Sequence, residues 1–203
     1  MVSERIILGI DPGTVVMGYA IICVKGNSVH LISAGILKLN KEDEHYSRLK
    51  IIFETLLELI ETHHPDELAI EEPFFGKNVQ SMLKLGRAQG VAIAAALYRQ
   101  IPVFGYTPRK IKQSITGRGA ASKEQVAAML QQIFKYEEQP KFLDATDALA
   151  VALCHYFQNK IVEMQPAVTA KKVSSKKTTS GRSYSGWDTF LKDNPDREKK
   201  KLK

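Results

Sequence analysis

The sequence predicts an α/β fold, a mixed five-stranded sheet flanked by helices and followed by a disordered basic C-terminal arm. Three observations support this prediction. Three apolar runs follow one another closely near the start of the chain, which is typical of an antiparallel meander. An amphipathic segment and another apolar run come next, the order of a crossover that makes two strands parallel neighbours. Beyond Gln165 the composition changes to lysine and serine.

The first apolar run extends from Arg5 to Asp11 and predicts a strand that is buried on both faces, because its apolar residues are continuous. Pro12-Gly13-Thr14 then turns the chain, and Gly13 is free to take a positive φ. A carboxylate at the end of a buried strand costs free energy unless something pairs with it. Asp11 is therefore either a turn former or one member of a group of acids.

The pattern of a strand ending in an acid occurs a second time. Strands are expected over 19–24 and 29–39, and an amphipathic helix over 45–63 ends where His64 precedes Pro65. The next strand, expected over 67–75, contains Glu71 and is again interrupted by proline. Because a crossover helix places the carboxyl ends of parallel strands at one edge, Asp11 and Glu71 are expected to lie close together.

The remaining elements are mainly helices. They are expected over 78–100, 107–115, 122–136 and 141–158, with a brief strand over 101–105. Thr107 and Ser122 are recognisable N-caps. The first of these helices is rich in small residues and suits close packing in a core or against a symmetric partner. On the last helix Asp144 and Asp147 lie three residues apart, a spacing that lets two carboxylates converge.

Charge separates the chain into two parts. The 203 residues carry a net charge of +7, but residues 1–164 contain 18 Lys and Arg against 18 Asp and Glu, whereas residues 165–203 contain 11 against 4. We therefore expect one folded domain over 1–164 and a disordered, basic, low-complexity tail over 165–203. Overall charge is thus evidence of nucleic-acid binding for the tail alone.

Within the domain, the segment from Lys77 to Lys123 contains nine basic residues and no acid. This segregation predicts a positive surface of the kind that binds phosphate backbones. The alternative is a solvated face whose counter-charges come from the acidic stretch between Glu54 and Glu72.

Cys23 and Cys154 have no paired spacing and are expected to be small buried side chains in a reducing compartment. The N-terminus shows no signal-peptide pattern, and no apolar run reaches the ~18 residues of a membrane span. A cytoplasmic location is therefore expected.

Four acids are the candidate catalytic residues: Asp11, Glu71, Asp144 and Asp147. If they converge in a partly desolvated site, divalent cations are the usual remedy for their repulsion. Oxygen ligands favour Mg²⁺ or Mn²⁺ over Zn²⁺. Two such ions can hold the attacking and leaving oxygens of an in-line phosphoryl displacement, which predicts hydrolysis of a phosphodiester.

Other kinds of site find little support. The five histidines show no ligand spacing with cysteine, and Cys154-His155 is more typical of packing than of metal binding. Gly117-Arg118-Gly119 is too short for a phosphate-binding loop, and no Ser or Cys triad can be argued.

Four motifs occur in a characteristic order: Gly9-Ile-Asp-Pro-Gly-Thr14 with Gly18-Tyr19, Ala69-Ile-Glu-Glu-Pro-Phe-Phe-Gly-Lys-Asn78, Leu85-Gly-Arg-Ala-Gln-Gly-Val-Ala92 and Asp144-Ala-Thr-Asp-Ala-Leu-Ala150. Together they resemble the RuvC family, bacterial Holliday-junction resolvases with an RNase H-like fold. The resemblance runs from about Ile6 to His155. Each motif is weak alone, but the ordered set is specific.

The resemblance implies a homodimeric endodeoxyribonuclease of recombination and repair, with two Mg²⁺ per active site and Mn²⁺ as a substitute. It would nick four-way junctions in pairs and work with the branch-migration proteins RuvA and RuvB. It also implies residue roles. Asp11, Glu71, Asp144 and Asp147 would be metal ligands, Phe74 would stack on a base, and Lys112 and Lys123 would contact phosphates. Lys77 and Arg118 of the basic segment complete the expected DNA contacts.

The tail inherits no role, because typical family members end near the last helix. We expect it to add weak, salt-sensitive DNA affinity through its lysines. Two other hypotheses stay open. An Asp-x-Gly-Thr turn also opens actin-like ATPases and sugar kinases, although 203 residues leave no room for their second domain. The other hypothesis is a non-catalytic junction-binding protein of the same fold.

Overall fold

The computed structural model describes residues 4–41, 43–72, 78–135 and 143–164, together with Lys192, but not the side chains of residues 143, 144 and 161–164. The elements in chain order are β1 (Glu4–Asp11), β2 (Val16–Lys25), β3 (Ser28–Lys38), α1 (His45–His63), β4 (Glu67–Glu71), α2 (Val79–Tyr98), β5 (Val103–Tyr106), α3 (Pro108–Thr116), α4 (Lys123–Phe134) and α5 (Leu143–Met164). None of the described helices is long and apolar enough to cross a membrane.

The five strands form one mixed sheet in the order β3-β2-β1-β4-β5. β1 pairs with β2, and β2 with β3, in antiparallel fashion, whereas β1–β4 and β4–β5 are parallel. This arrangement confirms the predicted meander and crossover. β1 lies at the centre, and its residues Ile7, Leu8 and Ile10 are fully buried.

The helices begin and end where local chemistry favours it. Thr107 and Ser122 are the N-caps of α3 and α4, as predicted, and Ser122 forms a reciprocal capping box with Gln125. α1 has the predicted bounds, and it ends at His64, whose left-handed backbone precedes Pro65. α5 runs past the predicted end at Gln158 to Met164.

Two layers of helices cover the two faces of the sheet. Leu8 and Ile10 pack with buried residues of α1 and α2. Ile7 and Ala69 pack on the other face with buried residues of α3, α4 and α5. Because side chains alternate along a strand, Gly9, Asp11 and Glu71 belong to the face that α5 covers.

Contacts divide the chain into two units, residues 1–166 and 167–203. All the elements named above belong to the first unit.

Cys154 and His155 pack inside the protein, as the sequence indicated. Both side chains are fully buried. The Tyr106 hydroxyl lies 2.6 Å from His155 Nδ1, and Glu67 Oε2 lies 2.9 Å from Nε2. Burial lowers the pKa of His155, although the nearby Glu67 opposes this effect. The imidazole therefore ties α5 to the β4–β5 edge as a satisfied core group.

Candidate active site

Asp11 and Glu71 are the last residues of two adjacent parallel strands. Ile10 of β1 is in register with Ile70 of β4, so the next residue of each strand is an acid at the same edge of the sheet. The sequence predicted this neighbourhood from the crossover pattern alone. Both carboxylates lie on the face that α5 covers, which brings them under the third acid.

α5 holds that third acid, Asp147, close to the sheet because β1 has a glycine beneath the helix. A Cβ placed on Gly9 would lie 2.4 Å from the Ala148 carbonyl oxygen and 2.8 Å from the Ala152 Cβ. Such distances are far inside van der Waals contact. Gly9 therefore allows the helix backbone to approach β1, two residues before Asp11.

The turn after Asp11 is tight for a different reason from the one expected. The φ of Gly13 is not in the left-handed region, so the turn does not use the positive φ that is open to glycine. A Cβ on Gly13 would lie 1.6 Å from the Val16 carbonyl oxygen, so the glycine is required by close packing of the turn on itself. Arg48 of α1 braces this turn, since its Nη1 donates to the Thr14 carbonyl oxygen over 2.9 Å.

Burial and mutual repulsion disfavour the charged forms of Asp11 and Glu71. Burial, followed by the charge of Asp147, raises the pKa of Asp11 to about 6. Burial, followed by the charges of Asp11 and Asp147, raises the pKa of Glu71 to about 7. Clustered carboxylates favour protonation or a neighbouring cation. The edge of the sheet therefore carries more negative charge than its side chains neutralise.

Lys123, at the start of α4, is one such cation. Its Nζ lies 2.5 Å from Asp147 Oδ2, and the ammonium also feels the charges of Asp11 and Glu71. The hydrogen bond to Asp147 raises the pKa of Lys123, so the side chain stays charged. Lys123 is 74% exposed and Asp147 30% exposed, so this ion pair can open toward solvent.

The donor chemistry of the acids suits a hard divalent cation, because Asp11, Glu71 and Asp147 offer only oxygen. Among the described side chains, no three acids, histidines or cysteines are arranged to hold a metal ion. Asp147 pairs with Lys123 instead. The Asp144 side chain lies outside the described residues, although its backbone is in α5, one turn before Asp147.

Replacing Glu71 by Gln is expected to make the metal-free protein more stable at pH 8. The folded-state pKa of Glu71 lies above its ordinary value, so its ionisation opposes folding as pH rises from about 4.5 to about 7. After allowance for solvent screening, we expect a gain of about 1 to 2 kcal/mol at pH 8 and almost none at pH 4. Urea unfolding in the presence of a chelator, at pH 4 and at pH 8, measures this gain in the free energy of unfolding.

The matched control is Glu58→Gln, which neutralises an exposed glutamate on α1. It should leave the difference in unfolding free energy between pH 4 and pH 8 unchanged. Equal pH dependence in Glu71→Gln and the wild type would contradict the described burial of Glu71.

A cleft of about 630 Å³ opens beside Asp11 and Asp147. Lys123 and residues of β2 and α4 complete its lining, among them Gly18, Glu124 and Gln131. A smaller cavity of about 150 Å³ joins Glu71, Lys112, Lys123 and Asp147. Sequence analysis did not identify Glu124 and Gln131 as lining residues of this cleft. The sequence feature that could have pointed to Glu124 was its position next to Lys123. The two hollows share Lys123 and Asp147, and we call this pair of adjoining hollows the groove.

The structure brings some of the expected DNA-contacting residues to this groove. Lys112 is half-buried and its charge acts on Glu71, and Lys123 lies among the acids. Arg118 is exposed in the loop between α3 and α4. Phe74 and Lys77 lie outside the described residues. Arg99 of the 77–123 segment pairs with Glu61. For this residue the counter-charge therefore comes from the acidic stretch between Glu54 and Glu72, as the alternative of a solvated face predicted.

Comparison with known proteins decides the family. The model of the family described as "Crossover junction endodeoxyribonuclease RuvC" matches residues 7–155. This chain belongs to the RuvC family. A RuvC from Cytophaga hutchinsonii is 56% identical over 97% of this chain and 89% of its own, and one from Bacteroides fragilis is 53% identical over 98% of each.

Solved structures of the family have the same fold. The Thermus thermophilus RuvC structure has a TM-score of 0.72 and 32% identity, covering 78% of this chain and 97% of that one. T. thermophilus RuvC in complex with a Holliday junction substrate has a TM-score of 0.73 and 33% identity, covering 78% and 96%. The RNase H-like fold expected from the resemblance is therefore confirmed.

The comparisons also correct one expectation about the tail. A RuvC from Shewanella loihica matches 74% of this chain, as expected if family members end near the last helix. The matches to the C. hutchinsonii and B. fragilis proteins instead cover nearly the whole chain, tail included. A tail of this kind is thus shared by part of the RuvC family.

Proposed function

We propose that this protein is a structure-selective endodeoxyribonuclease that resolves four-way DNA junctions by paired, symmetric phosphodiester hydrolysis during recombination and repair. The observation that carries the proposal is the set of partly buried acids, Asp11, Glu71 and Asp147, on the wall of a lysine-bearing groove in a chain of the RuvC family. The raised pKa values of Asp11 and Glu71 support a site built to face added positive charge.

Asp11, Glu71, Asp144 and Asp147 would hold two Mg²⁺, with Mn²⁺ as a substitute. Bound there, the metal supplies a water of lowered pKa and neutralises charge on the phosphate. The protein supplies position: β1 and β4 fix two carboxylates side by side, and α5 sets Asp147 against them. Lys123 would leave Asp147 and contact the scissile phosphate, with Lys112, Arg118 and Lys77 along the flanking backbone. Phe74 would stack on a base at the opened crossover.

The decisive experiment incubates the protein with an end-labelled four-way junction or a matched linear duplex, in Mg²⁺ or in chelator. We expect paired nicks at symmetric positions in the junction, only with metal, and an intact duplex. A junction that is bound but stays whole in both Mg²⁺ and Mn²⁺ would establish the alternative, a non-catalytic junction-binding protein of the same fold.

Paired cutting requires two active sites related by a two-fold axis, so we propose a homodimer. One face of α2 supports this. Val79 and Leu83 are 68% and 54% exposed, and Gly86 and Gly90 continue the same helical face. Apart from the adjacent backbone of α2 itself, a Cβ on either glycine would meet no atom of the described residues within 4 Å. Glycine in the middle of a helix lowers stability by about 0.5 to 1 kcal/mol relative to alanine. Close approach of a second copy of the chain would account for the two glycines.

Leu83→Glu is therefore expected to convert the dimer into a monomer and to replace paired nicks by rare single ones. Sedimentation velocity measures the first effect, and the ratio of doubly to singly cut junction the second. Ile32→Glu, at another exposed apolar residue, on β3, is the control and should stay dimeric. Unchanged sedimentation of Leu83→Glu would place the dimer contact elsewhere.

We propose that the tail adds electrostatic affinity for DNA, because residues 165–203 hold the whole net positive charge. Deletion of 166–203 is expected to weaken junction binding several-fold at 50 mM salt and hardly at all at 200 mM. Binding titrations at the two salt concentrations test this. Equal affinities at 50 mM would remove the tail from the binding surface.

The proposed partners, beyond the four-way junction and a second copy, are the branch-migration proteins RuvA and RuvB. The proposed location is the bacterial cytoplasm, consistent with bacterial relatives such as those of C. hutchinsonii and B. fragilis.

A further inference from the structure

A second group of basic side chains lies on the α1–α2 side of the sheet, opposite the layer that contains Lys112 and Lys123. His45 and Arg48 belong to the first turn of α1, and Lys84 and Arg87 lie three residues apart on α2. The charges of Arg87, Arg48 and Lys84 all act on the His45 ring. We call these four residues the α1–α2 basic cluster.

Several polar atoms of the α1–α2 basic cluster are buried without a partner among the described residues. They are Nδ1 and Nε2 of His45 and Nε of Arg48. Within the same described ranges, no carboxylate forms an ion pair with Arg48, Lys84 or Arg87. A buried polar group left without a partner costs free energy. A bound anion would offset this cost and neutralise the cluster.

The α1–α2 basic cluster is attached to the edge of the sheet that bears the acids. Arg48 Nη1 donates to the Thr14 carbonyl oxygen, three residues beyond Asp11. On α2, two residues after Arg87, Gln89 Nε2 donates to the Glu71 carbonyl oxygen over 3.4 Å. The acids therefore lie between two sets of basic groups, one from α3 and α4 and the other from α1 and α2.

We propose that the α1–α2 basic cluster binds a backbone phosphate of the cleaved DNA strand next to the scissile phosphate. The DNA strand would then contact basic side chains on both sides of the acids. Burial and the neighbouring cations lower the pKa of His45, so its ring is neutral and donates a single N–H to the phosphate, with Arg48 as the charged donor. Lys84 and Arg87 are exposed and supply the long-range attraction. This inference rests on the proposed function and adds a binding site to it.

The test compares two variants that lose the same charge. Lys84→Gln/Arg87→Gln removes the two exposed cations of the cluster. Lys25→Gln/Lys50→Gln removes two cations that pair with Glu4 and Glu54. Junction binding is titrated in chelator between 50 and 200 mM salt. We expect the slope of log affinity against log salt to fall by about 1 to 2 in the first variant and to stay as in the wild type in the control.

A second measurement locates the contact. Junctions with one neutral methylphosphonate at successive positions around the cleavage point are titrated with the wild type and with His45→Phe, which keeps a ring and removes both nitrogens. At one position adjoining the scissile phosphate, the neutral linkage should weaken binding of the wild type several-fold and binding of His45→Phe clearly less. At the other positions the two proteins should respond alike.

The outcomes separate this inference from the proposed function. Wild-type cleavage of the junction together with equal salt slopes in the two double variants would overturn the phosphate site and leave the nuclease standing. Methylphosphonate effects that are equal in the wild type and in His45→Phe would also overturn the phosphate site. A wild type that never cuts the junction in Mg²⁺ or Mn²⁺ would instead overturn the proposed function.

Discussion

Asp11→Asn is expected to abolish junction cleavage, by at least about 10³-fold, while junction affinity in chelator stays within about twofold of the wild type. Asp11 is the acid at the end of the central strand, and its carboxylate lies against Asp147 and Glu71. Asparagine has almost the same shape but neither the charge nor the second strong oxygen donor for a metal. The basic groups proposed to hold phosphate are untouched, so binding should survive.

Cleavage is measured under single-turnover conditions in Mg²⁺, and binding by titration of the same junction. Asp43→Asn is the matched control, because Asp43 is in the loop before α1, where its carboxylate accepts from the Asn40 side chain. It should cut at the wild-type rate. Retained nicking by Asp11→Asn would remove Asp11 from the catalytic group, and loss of binding would show that its charge helps fold the groove.

Gly9→Ala is expected to have the second large effect, although the residue has no chemistry of its own. The new methyl group would lie 2.4 Å from the Ala148 carbonyl oxygen, which is backbone and cannot rotate away. α5 must therefore shift outward and carry Asp147 with it. Overpacking of this kind costs about 1 to 3 kcal/mol, and a displacement of about 1 Å at a catalytic group reduces the rate about 100-fold.

Thermal unfolding and single-turnover cleavage measure the two effects of Gly9→Ala. Gly35→Ala is the control on β3, where the three atoms nearest to a new Cβ all belong to the Tyr19 side chain, the closest at 2.6 Å. Tyr19 can turn aside, so stability and rate should change little. Wild-type stability and rate in Gly9→Ala would mean that α5 does not depend on the missing side chain.

The parts of the site that the sequence predicted are those governed by local pattern. The end of β1 at Asp11 followed from a continuous apolar run, and its neighbour Glu71 followed from the crossover that makes β1 and β4 parallel. The bounds of α1 followed from helical periodicity and from Pro65.

The parts that could not be predicted depend on residues far apart in the chain. The need for Gly9 arises from the Ala148 backbone, and nothing near Gly9 in the sequence indicates it. The pair between Lys123 and Asp147 joins two helices, and its length and orientation follow from packing rather than from spacing. The unpartnered nitrogens of His45 are likewise visible only once burial is known.

The position of the acids along the chain has a consequence for synthesis in the cell. Asp11 is in the first strand, Glu71 follows the crossover, and Asp147 is in the last described helix, yet all three must meet at one edge of the sheet. Contacts of such long sequence separation form only after most of the domain has emerged from the ribosome. A nascent or truncated chain therefore lacks part of the proposed catalytic group. On the proposed mechanism, nuclease activity begins only once the whole domain has been made.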